Sequence, residues 1–194
     1  MLPNNSAFKD ESYVEEDGIG YYRWKTFSAP VDFRLTITFV STNSPHKQGI
    51  APGFPTKKDF KGEVFLNHHL LENPGQHTNL VIGEGDYSGN RIILDVHITH
   101  GYLCLSSASQ TLGDYPGMAE KISEQTGKKI EDLYALSWTS GFTAGHLPRD
   151  GSAFWIEPLS PNRDRYHCND HVMDDDFDDL IFDVEMEEIP PLTK

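Results

Sequence analysis

The chain has 194 residues, with 30 acids against 16 Lys and Arg, for a formal net charge of −14. At 37% hydrophobic and 11% aromatic residues, a chain of this length can bury an apolar core without disulfides or metals. So acidic a balance disfavours nucleic acid and anionic membrane surfaces and favours a basic protein partner or a cation. No basic cluster offsets it, because Asp59 interrupts Lys57, Lys58 and Lys61, while Glu131 and Asp132 follow Lys128 and Lys129.

Cys104 and Cys168 stand far apart and form no cysteine framework, which points to a reducing compartment. The first residues, Met1-Leu2-Pro3-Asn4-Asn5-Ser6, carry neither the basic nor the apolar region of a secretory signal. No apolar run approaches the roughly 18 residues a membrane helix needs. The expectation is a soluble cytoplasmic protein, folded as a single domain over 1–194.

In chain order, Tyr21 to Phe27 reads as a strand. From Val31 to Val40, Val31, Phe33, Leu35, Ile37 and Phe39 alternate with Asp32, Arg34, Thr36 and Thr38. That period of two, in β-branched and aromatic residues, is the pattern of a half-buried strand. Pro45, Gly49, Pro52, Gly53 and Pro55 make Ser41 to Lys61 a long loop, and loops of that length are often functional. Strands resume at Glu63–Leu66, Asn79–Ile82 and Arg91–Thr99, and after a turn at Gly101 another is expected over Tyr102–Leu105, with antiparallel pairing through tight turns.

The period then changes. Pro116 suits a helix start and Gly127 a helix end, with Met118, Ala119 and Ile122 on one face. A second helix follows through Ile130, Leu133, Tyr134 and Trp138. The acidic balance argues against reading this pair as a DNA-binding helix-turn-helix. Phe154–Ile156 reads as a strand and Pro158, Pro161 and Asn162 as a loop. Leu180, Phe182, Val184 and Met186 then mark a final strand with an opposing, mostly acidic face, ended by Pro190 and Pro191. The fold class expected is α+β: an antiparallel sheet, open barrel or sandwich with one inserted helical pair at about 116–138.

The acidic segment 174–188 is the most unusual feature. It holds nine acids (Asp174, Asp175, Asp176, Asp178, Asp179, Asp183, Glu185, Glu187 and Glu188) and no Lys or Arg. Its apolar alternation makes it part of the fold, and its self-repulsion calls for a basic partner, a cation or solvent. Asp174, Asp176, Asp178 and Glu185 also occupy the first, third, fifth and twelfth places of a calcium loop, but Asp179 replaces the glycine required sixth.

His167 and His171 are four apart near Cys168 and Asp170, a weak zinc signal in a segment that reads as loop. His68 and His69, adjacent in sequence, would point to opposite faces of a regular strand. His97-Ile98-Thr99 has the His-x-Thr form of two-histidine phosphoesterases, with Asp95 on the same strand face to orient the ring, but no second such motif occurs. No Gly-x-Ser-x-Gly elbow is present, and Gly83-x-Gly85 leads into a strand, not a helix.

Taken together, the residues favour a binding protein that sequesters or inhibits a basic protein partner, in the manner of an immunity protein. Its acidic surface would be Asp174, Asp175, Asp176, Asp178, Asp179, Asp183, Glu185 and Glu187, and it would need no cofactor. One alternative is a hydrolase or metal-dependent enzyme using His97 with Asp95, or His167 with His171. The other is a small-ligand-binding β protein using the 41–61 loop and Tyr21, Tyr22 and Trp24.

Overall fold

The computed structural model describes residues 13–44, 47–54, 60–72, 82–83, 90–109, 123–125, 127, 129, 139–140, 153–169 and 176–193. They form two antiparallel sheets. The larger has nine strands, in the order β1 (Tyr13–Glu16), β2 (Ile19–Tyr22), β12 (Phe154–Ser160), β13 (Arg163–Cys168), β14 (Leu180–Glu188), β4 (Val31–Thr42), β9 (Arg91–His100), β6 (Lys61–Leu66) and β7 (His69–Leu70). The smaller runs β11 (Thr139–Ser140), β10 (Tyr102–Ser109), β5 (Gln48–Gly53) and β8 (Ile82–Gly83), with β3 (Lys25–Ser28) also paired to β10.

One apolar cluster draws on both sheets. Leu35 and Ile37 of β4, Ile92, Leu94 and Val96 of β9, and Phe182 and Val184 of β14 meet Phe27, Ile50, Leu103 and Leu105 of the smaller sheet. Phe27 and Phe33 touch across the gap, with ring centroids 5.3 Å apart. The alternation in β4 and β9 therefore does what its period predicts, turning every second side chain inward. Each fully buried Leu, Ile or Phe contributes about 1.5–3 kcal/mol relative to exposure.

The turns explain the hairpins. Asp17 and Gly18 both have positive φ (53° and 79°) between β1 and β2, as do Asn67 and His68 (48° and 68°) between β6 and β7. Two positive φ values give the type I′ turn, whose twist matches that of the flanking strands. Asn67 is fixed further by accepting the Ile93 amide on its side chain, 2.9 Å away.

Several expectations are corrected. The turn at Gly101 does not join a hairpin: β9 lies in the larger sheet and β10 in the smaller, so the chain changes sheets there. The same change occurs between β3 and β4, and the two corners are bonded by the Ala29 amide to the Gly101 carbonyl, 2.9 Å. Tyr21–Phe27 is two strands in different sheets. The 41–61 loop contains β5, whose edge beyond Ile50 is not covered by β8. Pro52, with no amide hydrogen to donate, is tolerated there.

The stretch beginning at Pro158 is likewise not a loop. Pro158 sits where the β12–β13 register shifts, and Pro161-Asn162 is a two-residue turn that leads into β13. The helical pair expected over 116–138 gives way to a mainly antiparallel β class. Most of that stretch lies outside the described residues, and among those described within it 123–125 are helical. Gly127 does end that turn, at φ 67°, with its amide donating to the Ser123 carbonyl at 2.8 Å. Among the described residues, no helix is long and apolar enough to cross a membrane.

Candidate functional site

Side chains pointing away from the core form cross-strand rows on the outer face of the larger sheet, and register decides who meets whom. Asp32 of β4 lies opposite His97 of β9, and Arg34 lies opposite both Asp95 and Glu187. Asp183 lies opposite Arg165, with Arg163 opposite Glu185 two residues along the strand on the same face. Trp155 sits between Tyr21 and His167.

The Asp95–His97 arrangement expected from sequence is replaced. The two do share a face, but Arg34 claims the Asp95 carboxylate in a two-pronged contact: Nε to Oδ1, and Nη2 to Oδ2 at 2.9 Å. The hydrogen bond from Arg34 holds the Asp95 carboxyl below the usual aspartate range despite partial burial. His97 instead places Nδ1 2.7 Å from Asp32 Oδ1, and the Phe65 ring meets its edge. Asp32 is thus the residue that orients His97. His68 Nδ1 stands 3.7 Å from Asp95.

His167 is a strand residue, not a loop residue. Its ring stacks on Trp155 at 3.9 Å and 2° between planes, and Nε2 lies 3.1 Å from Glu157. His171 lies outside the described residues, as do Asp174 and Asp175. Among the described residues, no group of three or more His, Cys, Asp or Glu side chains is placed to hold a metal.

The acidic segment divides in two. Asp179 and Asp183 are buried, while Asp176, Glu185, Glu187 and Glu188 face solvent and Asp178 is half-exposed. The Asp183 side chain is 3% exposed and takes Arg165 Nε at 2.8 Å, Arg165 Nη2 at 3.2 Å and Arg163 Nη2. Burial pushes its pKa up, but the hydrogen bonds and charges of the two arginines outweigh this and leave it lowered. Its role is internal charge pairing on the sheet face. Residues 180–188 being a strand also removes the calcium-loop reading, since the last six places of that register alternate between the core and the outer sheet face. Upstream, both carboxylate oxygens of Asp178 accept the Asn43 amide at 3.2 Å, and Thr42 Oγ1 donates to the Asp179 carbonyl at 2.8 Å.

Cys104 and Cys168 are both free and buried. Burial pushes the Cys104 thiol up to about 11, away from reactivity at neutral pH. A second cluster lies where the sheets meet on the β13 flank, joining Tyr22, one of the aromatics named from sequence, to Lys25, Asp164 and Tyr166, which the sequence did not mark. Desolvation lowers the Lys25 pKa and raises those of Asp164, Tyr22 and Tyr166. A scan against protein-family models finds no match to this chain, and searches of curated proteins and of solved structures find none either.

Proposed function

We propose that this is a cytoplasmic binding protein that captures a basic protein partner, with the solvent-facing acids of the 174–188 segment as the recognition surface. The observation carrying the reading is how burial divides that segment. Asp183 has its arginines and Asp179 its place inside, while Asp176, Glu185, Glu187 and Glu188 are exposed, Glu187 with one oxygen 3.3 Å from Arg34, on a chain of net charge −14. Asp178, Asp174 and Asp175 extend the same run. Clustered charge of one sign steers a partner of opposite sign and rejects others of its own. An inhibitor of a nuclease or similar basic enzyme fits this chemistry.

The test replaces Asp176, Glu185, Glu187 and Glu188 with Lys, leaving Asp179 and Asp183 intact so that the fold is spared. Pull-downs from source lysate at about 50 mM and 500 mM salt bracket a several-fold change in Debye length. The wild type should capture a basic protein at low salt and lose it at high salt, and the variant should capture none. Equal capture by the variant at low salt rejects the proposal.

The Asp32–His97 pair supports a second, enzymatic reading, with His97 as a base oriented by a carboxylate 2.7 Å away. His97→Ala would then abolish hydrolysis of a chromogenic phosphodiester without lowering Tm. Loss of Tm with no hydrolysis to lose marks the pair as structural.

A further inference from the structure

Given the acidic recognition surface proposed above, on which this inference rests, we propose that Trp155 anchors the basic partner. It takes an arginine side chain against the face of the indole that His167 leaves open. Trp155 is half-buried on the outer face of the larger sheet, because its neighbours Phe154 and Ile156 turn towards the core. His167 covers one face of the indole, at 3.9 Å and 2° between planes, and Glu157 Oε2 lies 3.1 Å from that imidazole. Tyr21, opposite Trp155 on the other flank, packs instead on Phe177, with ring centroids 5.0 Å apart. Among the described residues, no second ring stacks on the indole.

The Tyr21–Phe177 contact also ties the acidic run to this row. Phe177 stands between Asp176 and Asp178, and Asp176 is exposed. Glu157, two residues from Trp155 on the same strand face, is 45% exposed. Arg165 lies opposite Glu157, but its guanidinium is engaged by Asp183 through Nε and Nη2, so the local balance stays negative.

These surroundings select a cation, since carboxylates repel an anionic group. A guanidinium suits them better than an ammonium. It is planar and weakly hydrated, so it stacks on an indole face and keeps N–H donors free for a neighbouring carboxylate. Tryptophan and arginine are also the side chains that most often dominate binding at an interface.

The full chain is titrated with two labelled peptides of equal charge, four Gly-Arg repeats and four Gly-Lys repeats, at about 50 mM salt, where screening is weak. Fluorescence anisotropy gives affinity, and the indole N–H resonances report contact. The arginine peptide should bind about 3–10-fold tighter than the lysine peptide, the worth of one partly desolvated cation–π contact. It should also shift the Trp155 indole resonance saturably. Trp155→Leu, which keeps an apolar side chain and removes the ring, should equalise the two peptides. The indole shift is read in the wild type, so it decides the matter even if Trp155→Leu fails to fold. Equal wild-type affinity for both peptides overturns the anchor and leaves the acidic surface standing. So does an arginine preference retained in Trp155→Leu, or binding that leaves the Trp155 resonance unmoved. If neither peptide binds, the anchor falls together with the acidic surface.

Discussion

Asp183 offers the sharpest test of how charge is managed on the large sheet. The side chain is 3% exposed and holds three guanidinium contacts, while Arg163 and Arg165 are 45% and 31% exposed. Breaking a fully buried ion pair from one side costs about 3–5 kcal/mol. Here the arginines can swing into water, so Asp183→Ala should cost about 2–3 kcal/mol, discounted for that solvent screening. In a domain of this size that corresponds to a drop of roughly 5–10 °C in Tm.

The pH dependence has a definite sign. The folded pKa is lowered from the ordinary value of 3.8. The stabilisation is therefore fully present above that value and is lost as pH falls through the lower, folded one. Urea melts of wild type and Asp183→Asn at pH 7 and pH 3 should show a gap that narrows in acid. The combined variant Asp183→Leu, Arg163→Met, Arg165→Met, which removes all the charges together, should return stability to within about 1 kcal/mol of wild type. If Asp183→Ala costs less than about 0.5 kcal/mol, or the gap is flat with pH, the carboxylate is a spectator and the reasoning fails.

Other outcomes follow from particular contacts. Gly62→Ala would place a Cβ 2.2 Å from the His97 carbonyl oxygen and 2.8 Å from Ile98 Cα, both backbone, at a register shift between β6 and β9. The strands must part, and equilibrium urea unfolding should show a loss of about 2–3 kcal/mol. Phe182→Ala should lose about 3–5 kcal/mol in the same assay, since the ring is 0% exposed between Tyr166 and Phe39. Asp95→Asn should cost about 1–2 kcal/mol at neutral pH and less in acid, because Arg34 lowers the folded pKa of Asp95; a cost that grows in acid contradicts the assigned pairing.

Period-two patterns were decisive where one face is wholly apolar. They located β4, β9 and β14 and the inward turn of Phe33, Leu35, Ile92, Leu94, Phe182 and Val184, because a strand half-buried in a core must alternate. They failed at β5 and β13 for two physical reasons. Pro52 and Pro161 signal breaks, but among the described residues β8 pairs with Gly49 and Ile50, short of Pro52, and Pro161 opens a two-residue turn. In β13 the inward face is Asp164, Tyr166 and Cys168, too polar to resemble a core strand.

By itself, the sequence determined composition, net charge, the apolar faces of the long strands and the extent of the acidic run. Only the tertiary structure decided which carboxylate each cation meets. Strand register between residues 61 to 153 positions apart sets the Arg34–Asp95, Asp32–His97 and Arg34–Glu187 partners. Local propensity carries no information at that range, since register comes from the packing of the opposite, apolar face. Tertiary structure buried Asp179, and buried Asp183 beneath Arg163 and Arg165 on the outer sheet face, in a run that reads as uniformly solvated. It also set Lys25 of one sheet against Asp164 of the other, a juxtaposition that neither strand's pattern contains.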